Sequence, residues 1–214
     1  MRRIVGRQVV DMSAADYAAL RAAHDGAVLD VGTGDGKHAQ HLARQHPDRL
    51  VVGLDAARDN MRAVSAKAAA RRSGLPNLIY VWAAAESLPP ALHDITDVHV
   101  LMPWGSLLRG VVGADPQILG GLRAVCAPGA GLYVALNLHA WRPPVPEVGG
   151  HPEPTPESAL ATMAAPYAAA GWTLADAAYL DTAGVAALAT SWTRRLSASR
   201  ARFDVLAVTG ARAD

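Results

Sequence analysis

The stretch VLDVGTGDGKH, residues 28–38, limits the fold more than any other part of this chain. An apolar run reading as a buried strand stops at Asp30 and Val31, and three glycines, Gly32, Gly34 and Gly36, follow at once. A helical segment, GKHAQHLARQHP, comes next and ends at Pro47. Glycines between a strand and a helix permit a tight turn and a close approach of backbone to ligand, and the helix start offers unpaired N–H groups. A second strand, RLVVGLDA, brings Asp55 to its end about 20 residues beyond the glycines, where an acid can accept from both hydroxyls of a ribose. The spacing is Gly-x-Gly-x-Gly, one residue short of the dinucleotide fingerprint. No Lys-Ser/Thr pair follows, as a phosphate-cradling loop would require.

Strand and helix signals alternate downstream. ARDNMRAVSAKAAARRSG has helical composition and stops at Gly74, a natural C-terminal cap. NLIYVWAAA, DVHVLMP and GLYVALNL read as the third to fifth strands, with a helix over about 116–126 and the turn APGAG before the fifth. Such alternation implies a mostly parallel sheet covered by helices on both faces. Two later strands, GWTLADAAYL and ARFDVLAVTG, flank a connection over 181–202 that contains TSWTRRLSASR. The stretch over 140–157 is Pro-rich and is expected to be a loop or arm. Ser13 before AADYAAL reads as a helix cap. With 214 residues and no internal repeat, one domain is expected.

Composition narrows the class. Apolar residues make up 51% and charged residues 18%, as in soluble globular proteins. The N-terminus lacks the apolar core of a signal peptide, and no window reaches the roughly 20 apolar residues of a membrane span. Cys126 is the single cysteine, so no internal disulfide can form and a reducing cytoplasm fits. A net charge of +1 argues against nucleic-acid binding through overall charge, yet cations gather twice: Arg58, Arg62, Lys67, Arg71 and Arg72, then Arg194, Arg195, Arg200 and Arg202. Either cluster alone reads as a solvated face. His38 and His41 lie three apart with no third ligand type beside them, so no metal site is expected. Nothing shows Ser106 activated as a nucleophile.

The loop with its preceding acid resembles the S-adenosylmethionine loop of class I methyltransferases, and APGAG resembles that family's lead into its fifth strand. The resemblance implies a seven-stranded Rossmann-like sheet and places Ala85 and Glu86 of AAAES against adenine. It also puts MPWGS, at the carboxyl end of the fourth strand, at the reaction site. Enzymes methylating exocyclic amines of bases usually carry Asp/Asn-Pro-Pro-aromatic there. This chain keeps Pro103 and Trp104 but has Met102 in place of the acid or amide, which favours a ring nitrogen whose lone pair is already free. Trp104 taken alone reads as core at a strand end.

VLDVGTGDGKH, LPNLIYVWAAAESLPP, VHVLMPWGSLLRG, ALNLHAWRPPVPEVG, HPEPTPES and TSWTRRL together resemble the kanamycin–apramycin resistance methyltransferases, nearly end to end. Members of that family methylate N1 of adenine 1408 in the decoding site of 16S rRNA within the small ribosomal subunit. The resemblance implies an N-terminal β-hairpin at RRIVGRQV and S-adenosyl-L-methionine as cofactor. It implies a cofactor site of Asp30, Gly32, Gly34, Asp55, Ala85, Glu86, Met102, Pro103, Gly105, Ser106, Thr190 and Ser191. Trp104 and Trp192 would clamp the flipped adenine, and Arg195, Arg200 and Arg202 would face RNA phosphates, joined by Lys67, Arg71 and Arg72. A cytoplasmic monomer without metal is expected. Methylation of another RNA (such as tRNA guanine N7), of a small molecule, or cofactor binding without catalysis stay open on the residues alone.

Overall fold

The computed structural model describes residues 1–143, 147, 148, 150–191 and 204–214. Among the described residues, nine strands form one sheet: β1 (Arg2–Val5), β2 (Gln8–Asp11), β3 (Gly26–Val31), β4 (Arg49–Asp55), β5 (Leu78–Trp82), β6 (Ile95–Leu101), β7 (Cys126–Asn137), β8 (Trp172–Tyr179) and β9 (Val205–Arg212). Their order is β2-β1-β5-β4-β3-β6-β7-β9-β8. The five central strands run parallel, while β9, β8 and the hairpin add antiparallel edges. The expected seven strands are therefore present, with the hairpin adding two at the β5 edge.

Burial on both faces explains why the centre is apolar throughout. β3, GAVLDV, is buried at every position, the signature of a parallel strand covered by helices on both sides. One large cluster, including Leu29, Leu50, Val98, Leu132 and Trp172, fills one side. A second packs Ile4 of the hairpin with Ala39, Ala43, Met61, Val64 and Tyr80. Helices α1 (Ala14–Ala22), α2 (Lys37–Gln45), α3 (Arg62–Ala68), α4 (Gly105–Val112), α5 (Pro116–Val125), α6 (Pro156–Ala169) and α7 (Thr182–Ala187) complete the layers. Ser13 caps α1 through a reciprocal pair with Asp16.

Gly36 seats α2 on the sheet. Its φ is +69°, and a Cβ there would lie 2.6 Å from Tyr80 Cε1 and 2.7 Å from Val64 Cγ2. Tyr80 also donates its hydroxyl to the Gly36 carbonyl at 2.8 Å. The third glycine thus gives the close helix–strand packing of the dinucleotide fingerprint, one residue earlier.

The structure corrects several boundaries. The single helix expected to reach Gly74 is a 3-10 turn (Arg58–Met61), then α3, which ends at Ala68. Beyond Ala68, AARRS offers no large apolar side chain to bury, so propensity alone does not extend the helix. The Pro-rich arm is shorter than expected: a 3-10 turn occupies Leu138–Trp141, and α6 begins at Pro156 with Thr155 capping it. Proline is compatible with a first helical turn, where its missing N–H has no partner anyway. APGAG lies inside β7, at a register irregularity between Ile95 and Asp97, and not in a separate turn. α4 has no counterpart in the sequence reading.

Candidate functional site

Two adjoining cavities open at the carboxyl ends of β3, β4 and β6, beside the point where the strand order reverses. One, of about 360 Å³, is walled by Asp55, Asn60, Ala85, Glu86, Pro103 and Trp104 among others, with Ser106. The other, of about 310 Å³, includes Asp30, Thr33, Asp35, His38, Thr190 and Ser191. Gly32, Gly34, Asn60 and Met102 line both.

The glycine loop and Asp55 lock each other in place. Asp55 Oδ2 accepts from Gly34 N at 2.8 Å and Oδ1 from Ala57 N at 2.7 Å. Each oxygen keeps a further lone pair for a ligand hydroxyl. Ala85 is buried, and the Glu86 carbonyl accepts from Gln117 Nε2 at 2.9 Å, so α5 pins this wall. Asp30 is the exception in its buried strand. It accepts from Thr33 Oγ1 at 2.5 Å, and burial raises its pKa, against the opposing effects of His38 and Thr33. A buried carboxylate facing a cavity is costly unless a cation meets it.

At the end of β6 the chain turns sharply. Met102 has a φ of +49°, uncommon for a non-glycine residue, and is held by its N–H on the Ala135 carbonyl at 2.8 Å. That turn swings Pro103 and Trp104 into the wall of the larger cavity. Trp104 is the N-cap residue of α4 and is 43% exposed, so it is neither core nor detached from the site. Gly105 lines neither cavity; with φ +58° it serves the same turn.

Asp35 anchors the far wall. Lys37 Nζ lies 2.6 Å from its Oδ2, and the Ser191 hydroxyl donates to the same oxygen. Burial pushes the Asp35 carboxyl up, but these hydrogen bonds outweigh it and hold its pKa below the ordinary value. Lys67, Arg71 and Arg72 are exposed at the far end of the 3-10/α3 unit, whose near end carries Asn60. Arg71 and Arg72 join Arg3 around a separate hollow of about 350 Å³. Trp192, Arg194, Arg195, Arg200 and Arg202 lie outside the described residues. Asn60, Asp35 and His38 line the cavities without having been singled out for binding. Asp35 stood within the glycine loop, whereas nothing local marked Asn60. Of the other tryptophans, Trp172 is fully buried with its N–H on the Leu119 carbonyl, 3.0 Å away. Trp82 donates to Ala56 O at 2.9 Å under the guanidinium of Arg2.

S-adenosylmethionine carries a ribose, an adenine, a cationic amino-acid end and no phosphate. The paired cavities supply a carboxylate for the ribose, an apolar wall for the base and a buried carboxylate for the cationic end. A Cβ on Gly34 would meet nothing nearer than Gly32 O at 4.0 Å, so a side chain there would project into the space a ligand needs. Among the described residues no group of His, Cys, Asp or Glu could hold a metal ion. Sheet order, glycine loop and strand-end acid define a class I S-adenosylmethionine-dependent methyltransferase.

Comparison with known proteins narrows that class. Residues 2–211 match the family NpmA, 16S rRNA (adenine(1408)-N(1))-methyltransferase, and the chain belongs to that family. It is 62% identical over 212 residues to the 16S rRNA (adenine(1408)-N(1))-methyltransferase of Streptoalloteichus hindustanus, covering 98% of both chains. Among solved structures, the 16S rRNA methyltransferase KamB superposes with a TM-score of 0.95 at 61% identity, covering 100% of each chain. A variant of the Catenulisporales acidiphilia 16S rRNA (adenine(1408)-N(1))-methyltransferase, crystallised with cosubstrate SAM, superposes with a TM-score of 0.90 at 38% identity, covering 100% of this chain and 97% of that one.

Proposed function

We infer that this chain transfers a methyl group from S-adenosylmethionine to N1 of adenine 1408 of 16S rRNA. It does so within the small ribosomal subunit, as a cytoplasmic monomer, and thereby confers resistance to aminoglycosides such as kanamycin and apramycin. The observation that carries this reading is the half-exposed Trp104 on a turned strand end beside the cofactor cavity, in a loop with no acid or amide side chain.

The bound cofactor supplies an electrophilic methyl group on a sulfonium. Asp55 holds the ribose, Ala85 and Glu86 flank the adenine, and Asp30 sits toward the cationic end. Adenine N1 is unprotonated at neutral pH, so no side chain has to abstract a proton. The protein's task is orientation, which can contribute roughly 7–11 kcal/mol. The target base must leave its stack at a cost of a few kcal/mol. Trp104 and Trp192 stack on its two faces, each worth about 1–3 kcal/mol. As the ring becomes cationic, the electron-rich indole faces favour the transition state over the neutral base. Met102, Pro103, Trp104 and Ser106 close the wall between base and cofactor, and Thr190 and Ser191 close the opposite side. Lys67, Arg71, Arg72, Arg195, Arg200 and Arg202 bind phosphates and position the subunit.

Incubating purified small subunits with the protein and labelled cofactor, then extending a primer across the decoding site, tests this directly. N1 methylation blocks base pairing, so a stop must occur at adenine 1408. Label incorporated elsewhere, or no incorporation, refutes the assignment. Arg195→Glu should lower methylation with cofactor affinity unchanged.

A further inference from the structure

Among the described residues, no strand ladder holds the stretch from Leu180 to Ser191 that presents Thr190 and Ser191 to the cavity. Its base is nevertheless tightly determined. Leu188 is buried against Leu101, Met102, Ala135 and Val185. Ala189, directly after it, takes the left-handed conformation with φ +51°, a strained choice for alanine that persists only where the surroundings over-determine it. The polar half of that determination comes from the first turn of α2. His38, 7% exposed, places Nδ1 2.6 Å from the Leu188 carbonyl oxygen and Nε2 3.0 Å from Nδ1 of His99 on β6. A carbonyl only accepts, so His38 Nδ1 bears the hydrogen. His38 Nε2 and His99 Nδ1 share the second hydrogen bond, which braces the ring from its other side. Burial, helped by His38, pushes His99 down to about 4, which keeps this chain of hydrogen bonds uncharged on the His99 side.

We propose that His38 is a positioning residue for methyl transfer. Through the Leu188 carbonyl it fixes the segment that brings Thr190 and Ser191 to the cofactor cavity and leads into Trp192, with His99 bracing its other ring nitrogen. The role rests on the methyltransferase reading above. It also makes α2 and the glycine loop a double anchor for this segment, since Lys37 Nζ reaches Ser191 Oγ at 2.5 Å.

Three variants separate this from a histidine that merely fills space. His38→Leu keeps bulk and loses the donor; Asn places an amide N–H where Nδ1–H stood; Gln reaches only toward the Nε2 position. In His38→Leu and His38→Gln, kcat on small subunits should fall about 10- to 100-fold, the size expected when reacting groups shift by an ångström. KM for the subunit should rise less than kcat falls, because Lys67, Arg71 and Arg72 contact phosphates from a part of the fold that His38 does not touch. Cofactor affinity measured by calorimetry should weaken, and hydrogen exchange of the backbone amides over 188–191 should accelerate. His38→Asn should recover all three readouts toward wild type. Equal impairment in Asn and Leu, or wild-type kcat and exchange in Leu, overturns the proposal. If wild type gives no primer-extension stop, the functional reading has failed instead, while calorimetry and hydrogen exchange still decide the part played by His38.

Discussion

Replacing Trp104 by alanine removes one face of the proposed clamp. The indole is 43% exposed and makes no side-chain cap to α4, so its loss opens no core cavity and should change stability by about 1 kcal/mol or less. One aromatic face on a base is worth about 1–3 kcal/mol. That contribution acts only after the base has left its helix and grows as the ring acquires charge, so it belongs to kcat. The expected loss is about 5- to 150-fold at saturating subunit and cofactor. Trp104→Phe, which keeps a smaller aromatic face, should fall between alanine and wild type. The assay is methyl incorporation into small subunits, with calorimetry for the cofactor run in parallel because Trp104 also walls the 360 Å³ cavity. Two results refute the reasoning. One is wild-type kcat in the alanine variant. The other is a deficit that disappears at high cofactor, which would make Trp104 a wall of the cofactor cavity and no clamp.

Other outcomes follow from single groups. Because burial raises the Asp30 pKa, ionisation costs the ligand-free fold stability, a cost absent in acid and complete once pH passes the raised value. Asp30→Asn, still accepting from Thr33, should therefore raise the urea midpoint at pH 7. It should weaken cofactor binding by about tenfold or more, the scale of a charged hydrogen bond. His99 has the opposite consequence in acid: between its ordinary 6.5 and about 4 the unfolded chain binds a proton that the folded one refuses. It should lower stability by about 3 kcal/mol on acidification across that window, and His99→Phe should flatten that limb of the urea series. Lys67→Gln and Arg72→Gln should each reduce the slope of log affinity against log salt for subunit binding by about 0.7–0.9, with cofactor affinity unmoved. An unchanged slope removes that residue from the phosphate contacts.

Much of the site was legible because its parts lie within a few residues of one another. Asp30 through Gly36 and MPWGS each occupy one strand end, and the period of the strands says where those ends fall. The reading failed where two local preferences competed. Alanine-rich sequence favoured a helix to Gly74, yet α3 stops where burial stops, at Ala68. Prolines argued for an arm through 157, yet Pro156 sits where a helix tolerates proline, and α6 begins there. α4 begins at a glycine with no side-chain cap, so no start signal announced it.

By itself the sequence determined a parallel α/β sheet, an acid at the end of the strand after a glycine loop, and an aromatic at the end of the fourth central strand. These are matters of turn geometry and periodicity, settled by neighbours along the chain. Only the tertiary structure decided that His38 meets the Leu188 carbonyl, that Lys37 and Asp35 hold Ser191, and that Asn60 completes the cavity floor between its two halves. Those hydrogen bonds join residues about 150 positions apart, and no local energy term distinguishes their partners until the sheet has placed both ends side by side.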